Sequence, residues 1–387
     1  MKKIISGFLL LCGALCCNLS VAQYPHYSDI SVSLLTAAPG EEIYAVFGHN
    51  GIRVRIDSFD HDAVYNYGTF SFNQPNFVAN FARGKMNYFL SVSSYNDFMY
   101  SYMKENRGIR EQVFELDSTQ TMFMVRFLER NAKPDSCHYR YNFFLDNCAT
   151  RIRDLVQKTF PEMSLPESLE TPTYRDLIHR YLHEHPWGRF GIDIGLGLPT
   201  DQKTGIFEQM FLPDYLSDVY ARILYNGHPI MKETATIFIP DTNRPPAIQP
   251  AGPITPVVVC CLILALATLF LYVRKGARIF DFTLFFVVGL TGLLVTFLWF
   301  FTKHGFTQNN LNIIWALPTH AVMAFFLLTN KRNNSFARKY FLTTAIIAML
   351  LIIAWVFLPQ RLNPALIPLV LAIALRAYRN SRLVMVG

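Results

Sequence analysis

Asp146-Asn147-Cys148-Ala149-Thr150-Arg151-Ile152-Arg153-Asp154 is the stretch on which the reading of this 387-residue chain turns. Asn147 suits a helix N-cap, because its side chain can accept from backbone N–H groups that the first turn leaves unpaired. Cys148 then opens a helix that runs through Lys158. At that position the helix dipole and the free N–H groups favour a thiolate, which predicts a depressed thiol pKa. The same N–H groups can later receive the oxyanion of a tetrahedral intermediate.

A nucleophilic thiol is served by a base that takes its proton and returns one to the leaving group. The candidate lies upstream, in Phe47-Gly48-His49-Asn50-Gly51-Ile52-Arg53-Val54. His49 follows a stretch of strand-like alternation, Glu42–Phe47, and is flanked by Gly48 and Gly51, small neighbours that allow close approach in a cleft. Taken alone, a His beside a strand and a Cys in a helix are more often packing residues. Further strands are expected over 51–56, 63–68 and 88–93, and helices over 117–131 and 174–184, the first with Asp117 or Ser118 as its cap.

Beyond these motifs the chain divides by composition. It is 51% hydrophobic with a net charge of +7, but its apolar residues concentrate after Thr255. Many basic residues flank apolar segments and no nucleic-acid-binding signature accompanies them, so nucleic acid is excluded as a partner. Residues 1–23, with Lys2-Lys3, a short apolar run and small residues before Gln23, read as a secretory signal peptide. A retained signal anchor is the alternative. Residues 24–245 read as an exported domain and 246–254 as a proline-rich linker. Residues 255–387 read as a membrane domain of about five helices, near 255–273, 280–301, 311–329, 339–358 and, shorter, 364–376.

Orientation follows from charge. Arg274, Lys275, Arg278, Lys331, Arg332, Arg338, Lys339, Arg376, Arg379 and Arg382 lie on one side, while the opposite loops carry only Lys303 and Arg361. The positive-inside rule puts the C-terminus in the cytoplasm and the exported domain outside. With the signal removed, the exported domain keeps Cys137 and Cys148, which in an oxidising compartment could pair or leave a reactive thiol. His179, His183 and His185 have no partner in a metal-binding pattern and read as solvated surface residues. No metal or organic cofactor is expected. Asp193 and Asp201 flank a glycine-rich loop without an evident role.

FGHNGIRV at 47–54, YNYGTF at 65–70 and DNCATRIRD at 146–154, in that order, resemble the periplasmic domain of the Lnb-type lipoprotein N-acyltransferases. PWGRFGIDIGLGLPTD at 186–201, FLPDYL at 211–216 and HGFTQNNLNIIWALP at 304–318 extend the likeness into the membrane part. The order, His strand before Cys helix, also resembles the circularly permuted papain-like fold of lecithin–retinol acyltransferase. The resemblance implies an α+β permuted papain-like domain followed by an all-α transmembrane bundle in the inner membrane of a Gram-negative cell.

It further implies Cys148 as nucleophile and His49 as base, with an acyl chain moving from a membrane phospholipid through a thioester to a diacylglyceryl-cysteine lipoprotein. A third group usually orients such a His. Asn66, on the adjoining strand, is the candidate, and Tyr65 and Asp62 compete with it. Arg53, two residues past Gly51 on the same strand face, and Arg151, a helical turn past Cys148, are candidates for a lipid phosphate, although structural roles are the plainer reading. His304, Asn309, Asn310 and Asn312 would meet headgroups or the acceptor where the bilayer begins, and His320 and Pro318 lie inside an apolar segment. Two rivals stand beside this reading: a membrane-anchored papain-like amidase or peptidase of the envelope, and a non-catalytic lipid-binding protein in which Cys148 pairs with Cys137.

Overall fold

Ile30-Ser-Val-Ser-Leu-Leu-Thr-Ala forms β1 (Ile30–Ala37), a strand that antiparallel neighbours pair on both edges. The computed structural model describes residues 29–71, 76–85, 87–167, 170–244, 252–329 and 334–382. The expected signal segment 1–23, most of the linker 246–254, and Lys331 and Arg332 lie outside those residues.

Six further strands join β1: β2 (His49–Ile56), β3 (His61–Thr69), β4 (Asn87–Ser94), β5 (Ile109–Phe114), β6 (His138–Arg140) and, after the small hairpin of β7 (Leu224–Tyr225) and β8 (His228–Pro229), β9 (Met231–Phe238). They make one antiparallel sheet in the order β6-β4-β3-β2-β1-β5-β9. The predicted strands over 51–56, 63–68 and 88–93 are β2, β3 and β4. Glu42–Phe47 is a turn rather than a strand. Gly40 and Gly48 both donate backbone bonds to the Ala45 carbonyl, and the adjacent Ala45 and Val46 are both buried, so side chains do not alternate between two faces there.

The helices of this α/β part are α1 (Phe77–Ala82), α2 (Tyr95–Lys104), α3 (Ser118–Asn131), α4 (Cys148–Thr159), α5 (Tyr174–Tyr181), α6 (Pro186–Gly195), α7 (Ile206–Gln209) and α8 (Pro213–Tyr220). Asp117 and Asn147 cap α3 and α4 through reciprocal capping boxes. Helix α4 lays Ile152, Leu155 and Val156, all at most 1% exposed, against the core beneath β2 and β3. Burial of this kind stabilises by about 1.5–3 kcal/mol per side chain and fixes where Cys148 sits. Helix α5 stops at Tyr181 rather than 184, where the Leu182 N–H closes the last turn on His179.

The C-terminal part is a bundle of α9 (Pro256–Tyr272), α10 (Ala277–Phe300), α11 (Thr319–Leu328), α12 (Ser335–Ala354) and α13 (Leu366–Arg382). Three stretches are long and apolar enough to cross a membrane: Ala277–Phe300, Leu311–Leu328 and Ser335–Phe357. Pro256–Tyr272 is a shorter apolar helix, and α13 packs against both it and α12. The segment read as 311–329 is broken into a 3-10 turn, Leu311–Ile314, and α11. Pro318 lacks a donor, and Gly292 lets the Ala316 carbonyl sit so close that a Cβ there would lie 1.9 Å from its oxygen. The segment read as 364–376 runs to Arg382.

Arg376, read as a cationic flank, is 2% exposed and forms a two-pronged ion pair with Asp281 at 2.6 and 3.0 Å. Asn380 adds a third bond to the same carboxylate, at 2.9 Å. A charge at this depth is kept by its partner, not by water. His320 is likewise buried, with Nδ1 2.6 Å from the Tyr340 hydroxyl.

The two parts meet through a polar hub. Arg175 is wholly buried and donates to Asp193 at 2.8 Å and Asp201 at 2.9 Å. Asp193 also takes His179 Nε2 at 2.8 Å and, from the bundle side, Asn363 at 2.9 Å. His179 is therefore an interior ligand of Asp193 rather than a solvated residue, while His183 is exposed as expected. Burial pulls the Asp193 carboxyl upward, but His179 and Arg175 together hold it below the usual carboxylate range. Arg361 pairs with Asp176 at 2.5 Å, and the Lys303 N–H donates to the Arg83 carbonyl at 3.0 Å. Both sparsely charged loops thus face the α/β part.

Candidate functional site

Helix α4 begins at Cys148 because Asn147 is locked in place. Its Oδ1 accepts from the Thr150 N–H at 2.9 Å, and its Nδ2 donates to the Phe143 and Phe211 carbonyls at 2.7 and 2.8 Å. Cys148 is 8% exposed, and its sulfur lies within reach of three backbone N–H groups, those of Asn50, Ala149 and Cys148 itself. Burial outweighs them: the thiol is pushed above its ordinary pKa, although the three N–H groups and Arg107 pull the other way. The thiol is neutral at rest, contrary to the depressed pKa that a helix N-terminus alone predicts.

His49 starts β2 beside the sulfur's amide donor, Asn50. Its imidazole is pulled down to about 4, first by burial and then by the Arg107 charge, while a side-chain hydrogen bond to Asn66 opposes both. Asn66 Nδ2 is held by the Val64 carbonyl and Ser93 Oγ, each at 3.3 Å, which leaves Oδ1 to accept from the ring. Of the three expected partners, Asn66 is the one at His49. Tyr65 packs in the core, and Asp62 is taken by Arg53. The ring of Tyr102 stacks on the other side of His49, with centroids 6.2 Å apart.

The floor of the site is glycine. Gly68 has φ +91°, and a Cβ there would lie 3.5 Å from Cys148 Cβ and 3.8 Å from the Tyr141 ring. Beneath His49, the FLPDYL stretch supplies Pro213, whose carbonyl accepts from Asn50 Nδ2 at 3.4 Å. Motifs 163 residues apart in sequence therefore meet at β2.

Arg53 does not face it. Its guanidinium is shared by Asp62 at 2.6 Å and Glu111 at 3.0 Å and lies over the Tyr95 ring, which neutralises it within the sheet. Arg151 forms a two-pronged pair with Asp146 and covers the Tyr139 ring at 4.1 Å. Asn312 is buried and donates to the Asp193 and Ile194 carbonyls at 3.0 and 3.2 Å. Asn310 is its neighbour in that contact, donating to Ile194 at 2.8 Å, and Asn309 takes the left-handed turn beside them, at φ +50°. These asparagines dock the loop onto α6. His304 packs against Gly84 at the edge of a cavity.

That cavity, of about 440 Å³, lies between the α/β part and the end of α10. Tyr141 and Tyr88, whose rings stack at 4.1 Å, form its side next to Cys148, and Leu298 and Phe306 come from the bundle. Its size is that of a pocket for a small organic ligand, and its wall is almost wholly carbon.

Arg107 escaped the sequence reading. It is 7% exposed; Nε donates to the Ala38 carbonyl at 2.8 Å, Nη1 pairs with Glu105 at 3.0 Å, and Nη2 is buried without a hydrogen-bond partner. Its charge acts on both His49 and Cys148. No spacing in the chain ties Arg107 to either motif, and only the fold brings it there. Cys137 and Cys148 are both free thiols, and Cys137 Sγ lies 3.0 Å from His138 Nδ1. Among the described residues no group of His, Cys, Asp and Glu side chains is arranged to hold a metal ion.

No curated protein and no solved structure matches the chain. Two family descriptions do, in the order the architecture requires. Residues 22–180 match the Lnb N-terminal periplasmic domain, which contains His49, Asn66, Arg107 and Cys148, and residues 248–385 match the Lnb transmembrane domain. With a periplasmic α/β domain docked on a transmembrane helical domain, the chain is a membrane-anchored member of the Lnb family.

Proposed function

We propose that the protein is a thiol-dependent lipoprotein N-acyltransferase working at the periplasmic face of the inner membrane, with its C-terminus in the cytoplasm. The observation that carries this reading is the position of Cys148: its neighbour Tyr141 lines an apolar cavity that the transmembrane domain helps to close. A peptidase needs no such cavity, and a single helix would anchor it.

In the first half-reaction His49 takes the Cys148 proton as sulfur attacks the ester carbonyl of a phospholipid. The N–H groups of Cys148 and Asn50, which reach the sulfur, are the donors proposed to receive the oxyanion that develops. As the C–O bond breaks, the imidazolium returns its proton to the leaving alcohol, and a thioester and a lysophospholipid result. In the second, the free α-amine of a diacylglyceryl-cysteine attacks the thioester. An amide forms, the C–S bond breaks, and the amine's proton passes by way of His49 to the departing thiolate. A covalent intermediate suits two lipid substrates that arrive in turn by lateral diffusion.

The test is the mass of one lipoprotein's N-terminal lipopeptide from cells carrying the native gene or Cys148→Ala. Loss of one acyl chain in the variant is expected. An unchanged lipopeptide, with the variant well expressed and no second enzyme present, would remove the acyltransferase reading and leave the envelope amidase.

A further inference from the structure

The cavity beside Tyr141 has an apolar wall and a basic rim. Phe47, Phe143, Phe144, Ile178, Ile192 and Leu298 supply carbon surface, and the rim is made where Gly84 meets Lys303 and His304. Gly84 has φ +64°, and a Cβ on it would lie 3.0 Å from the His304 nitrogen. The Lys303 N–H donates to the Arg83 carbonyl at 3.0 Å, so the backbones of the two segments are fastened together. This contact joins the Arg83 backbone to Lys303, which lines the opening, and Arg83, Lys85 and Lys303 are all exposed.

Arg53, Arg107, Arg151, Arg175, Arg180 and Arg361 each have a carboxylate partner. Among the described residues, Arg83, Lys85 and Lys303 take part in no salt bridge. A cluster of unneutralised cations attracts an anion, and an apolar slot beside it attracts a hydrocarbon chain. Lys303 follows Phe300, the last residue of a 24-residue apolar helix long enough to cross a membrane, which puts both features near the end of that helix.

We propose that this cavity seats an acyl chain of a glycerophospholipid donor, and that Arg83 and Lys303 hold the phosphate of its headgroup. The inference rests on the acyl-transfer reading and places that reaction's donor on named residues. Leu298 bounds the slot, and its Cδ1 lies 3.7 Å from where a Cβ on Gly195 would be. On this proposal, side-chain size at Leu298 sets how long a chain the slot accepts.

The test uses the full-length protein in vesicles of phosphatidylethanolamine or phosphatidylglycerol carrying mixed acyl chains, with a diacylated lipopeptide as acceptor. Mass spectrometry reads both the amount and the length of the chain transferred. Leu298→Trp is expected to shift the transferred chains towards shorter species, and Leu298→Ala, which removes bulk, towards longer ones. The double variant Arg83→Gln, Lys303→Gln is expected to raise the apparent KM for donor about tenfold, the scale of one lost charge-assisted contact. Unchanged chain lengths in both Leu298 variants at a normal rate would overturn the proposal while leaving acyl transfer intact. A native enzyme that transfers no chain under any of these conditions would overturn the acyl-transfer reading, and this proposal with it.

Discussion

The backbone N–H of Asn50 donates to the sulfur of Cys148, so β2 supplies the thiol's amide partner and, one residue earlier, the histidine proposed as its base. Adjacent residues of a strand direct their side chains to opposite faces. Here the Asn50 side chain turns to Thr36 at 2.9 Å and anchors the strand, while the His49 ring is held by Asn66 and stacks on Tyr102. A shift of β2 would displace donor and base together, which explains why Gly48, at φ +78°, and the buried Asn50 flank His49.

The protonation states of this pair set the pH profile. His49 is held down to about 4 and Cys148 is raised, so the resting pair is neutral imidazole and thiol. Activity is expected to fall only as pH drops through about 4, not through the ordinary histidine range. Alkylation of Cys148 by iodoacetamide should be slow at pH 7 and rise only as the thiol ionises, above the usual cysteine range. Rapid alkylation already at pH 6, level with pH, would instead indicate a preformed thiolate–imidazolium pair. Stability follows the same sign. An unfolded histidine takes its proton near pH ~6.5. The folded chain should therefore lose stability as pH falls from that value towards 4.

Arg107 biases both members of the pair, so its removal has a two-sided signature. Arg107→Met takes away a cation that disfavours imidazolium and favours thiolate. The acid limb of the rate profile should move upward from about 4, and Cys148 alkylation should slow further. Arg107→Lys, which keeps the charge, should restore the position of the limb even where overall rate stays low. If both variants leave the limb in place, Arg107 is a packing residue that ties Ala38 to Glu105.

Asn66 is expected to act as a positioning residue, since it bonds the His49 ring. Asn66→Ala should lower kcat about tenfold to a hundredfold with KM for both lipids nearly unchanged, because only ring orientation is lost. Asn66→Asp replaces the amide with a carboxylate and should raise the acid limb by stabilising imidazolium. A large change in KM with kcat preserved would place Asn66 in substrate binding instead.

Much of this site was legible in the chain because its local rules are strong. The capping box at Asn147, the glycines around His49 and the strands over 51–56 and 63–68 all act within a few residues. The Glu42–Phe47 strand failed for a tertiary reason: Ala45 and Val46 both point inward, against the alternation their neighbours suggest. Arg107 acts on groups 58 and 41 positions away, and no local pattern encodes that. The raised Cys148 pKa was missed for a related reason, since burial belongs to the folded domain and the helix N-terminus is visible alone. Arg376 was misread because its partner, Asp281, lies on another helix 95 residues earlier.

The hub between the two domains offers a test of how far the site depends on the bundle. Arg175 is wholly buried, paired with Asp193 and Asp201, and Asp193 reaches His179 and Asn363. Arg175→Met fits the space but leaves two carboxylates without their main cation. Breaking a buried pair from one side costs about 3–5 kcal/mol. The variant should lose thermal stability in detergent, and its acyl transfer should fall further than its Cys148 alkylation, because the thiol lies on α4 whereas the cavity is shared between the domains. Asn363→Ala, which removes one bond to Asp193 from the bundle side, should show the same split more weakly. Equal loss of alkylation and transfer in both variants would mean that the hub supports the α/β fold as a whole, not the junction at which the cavity forms.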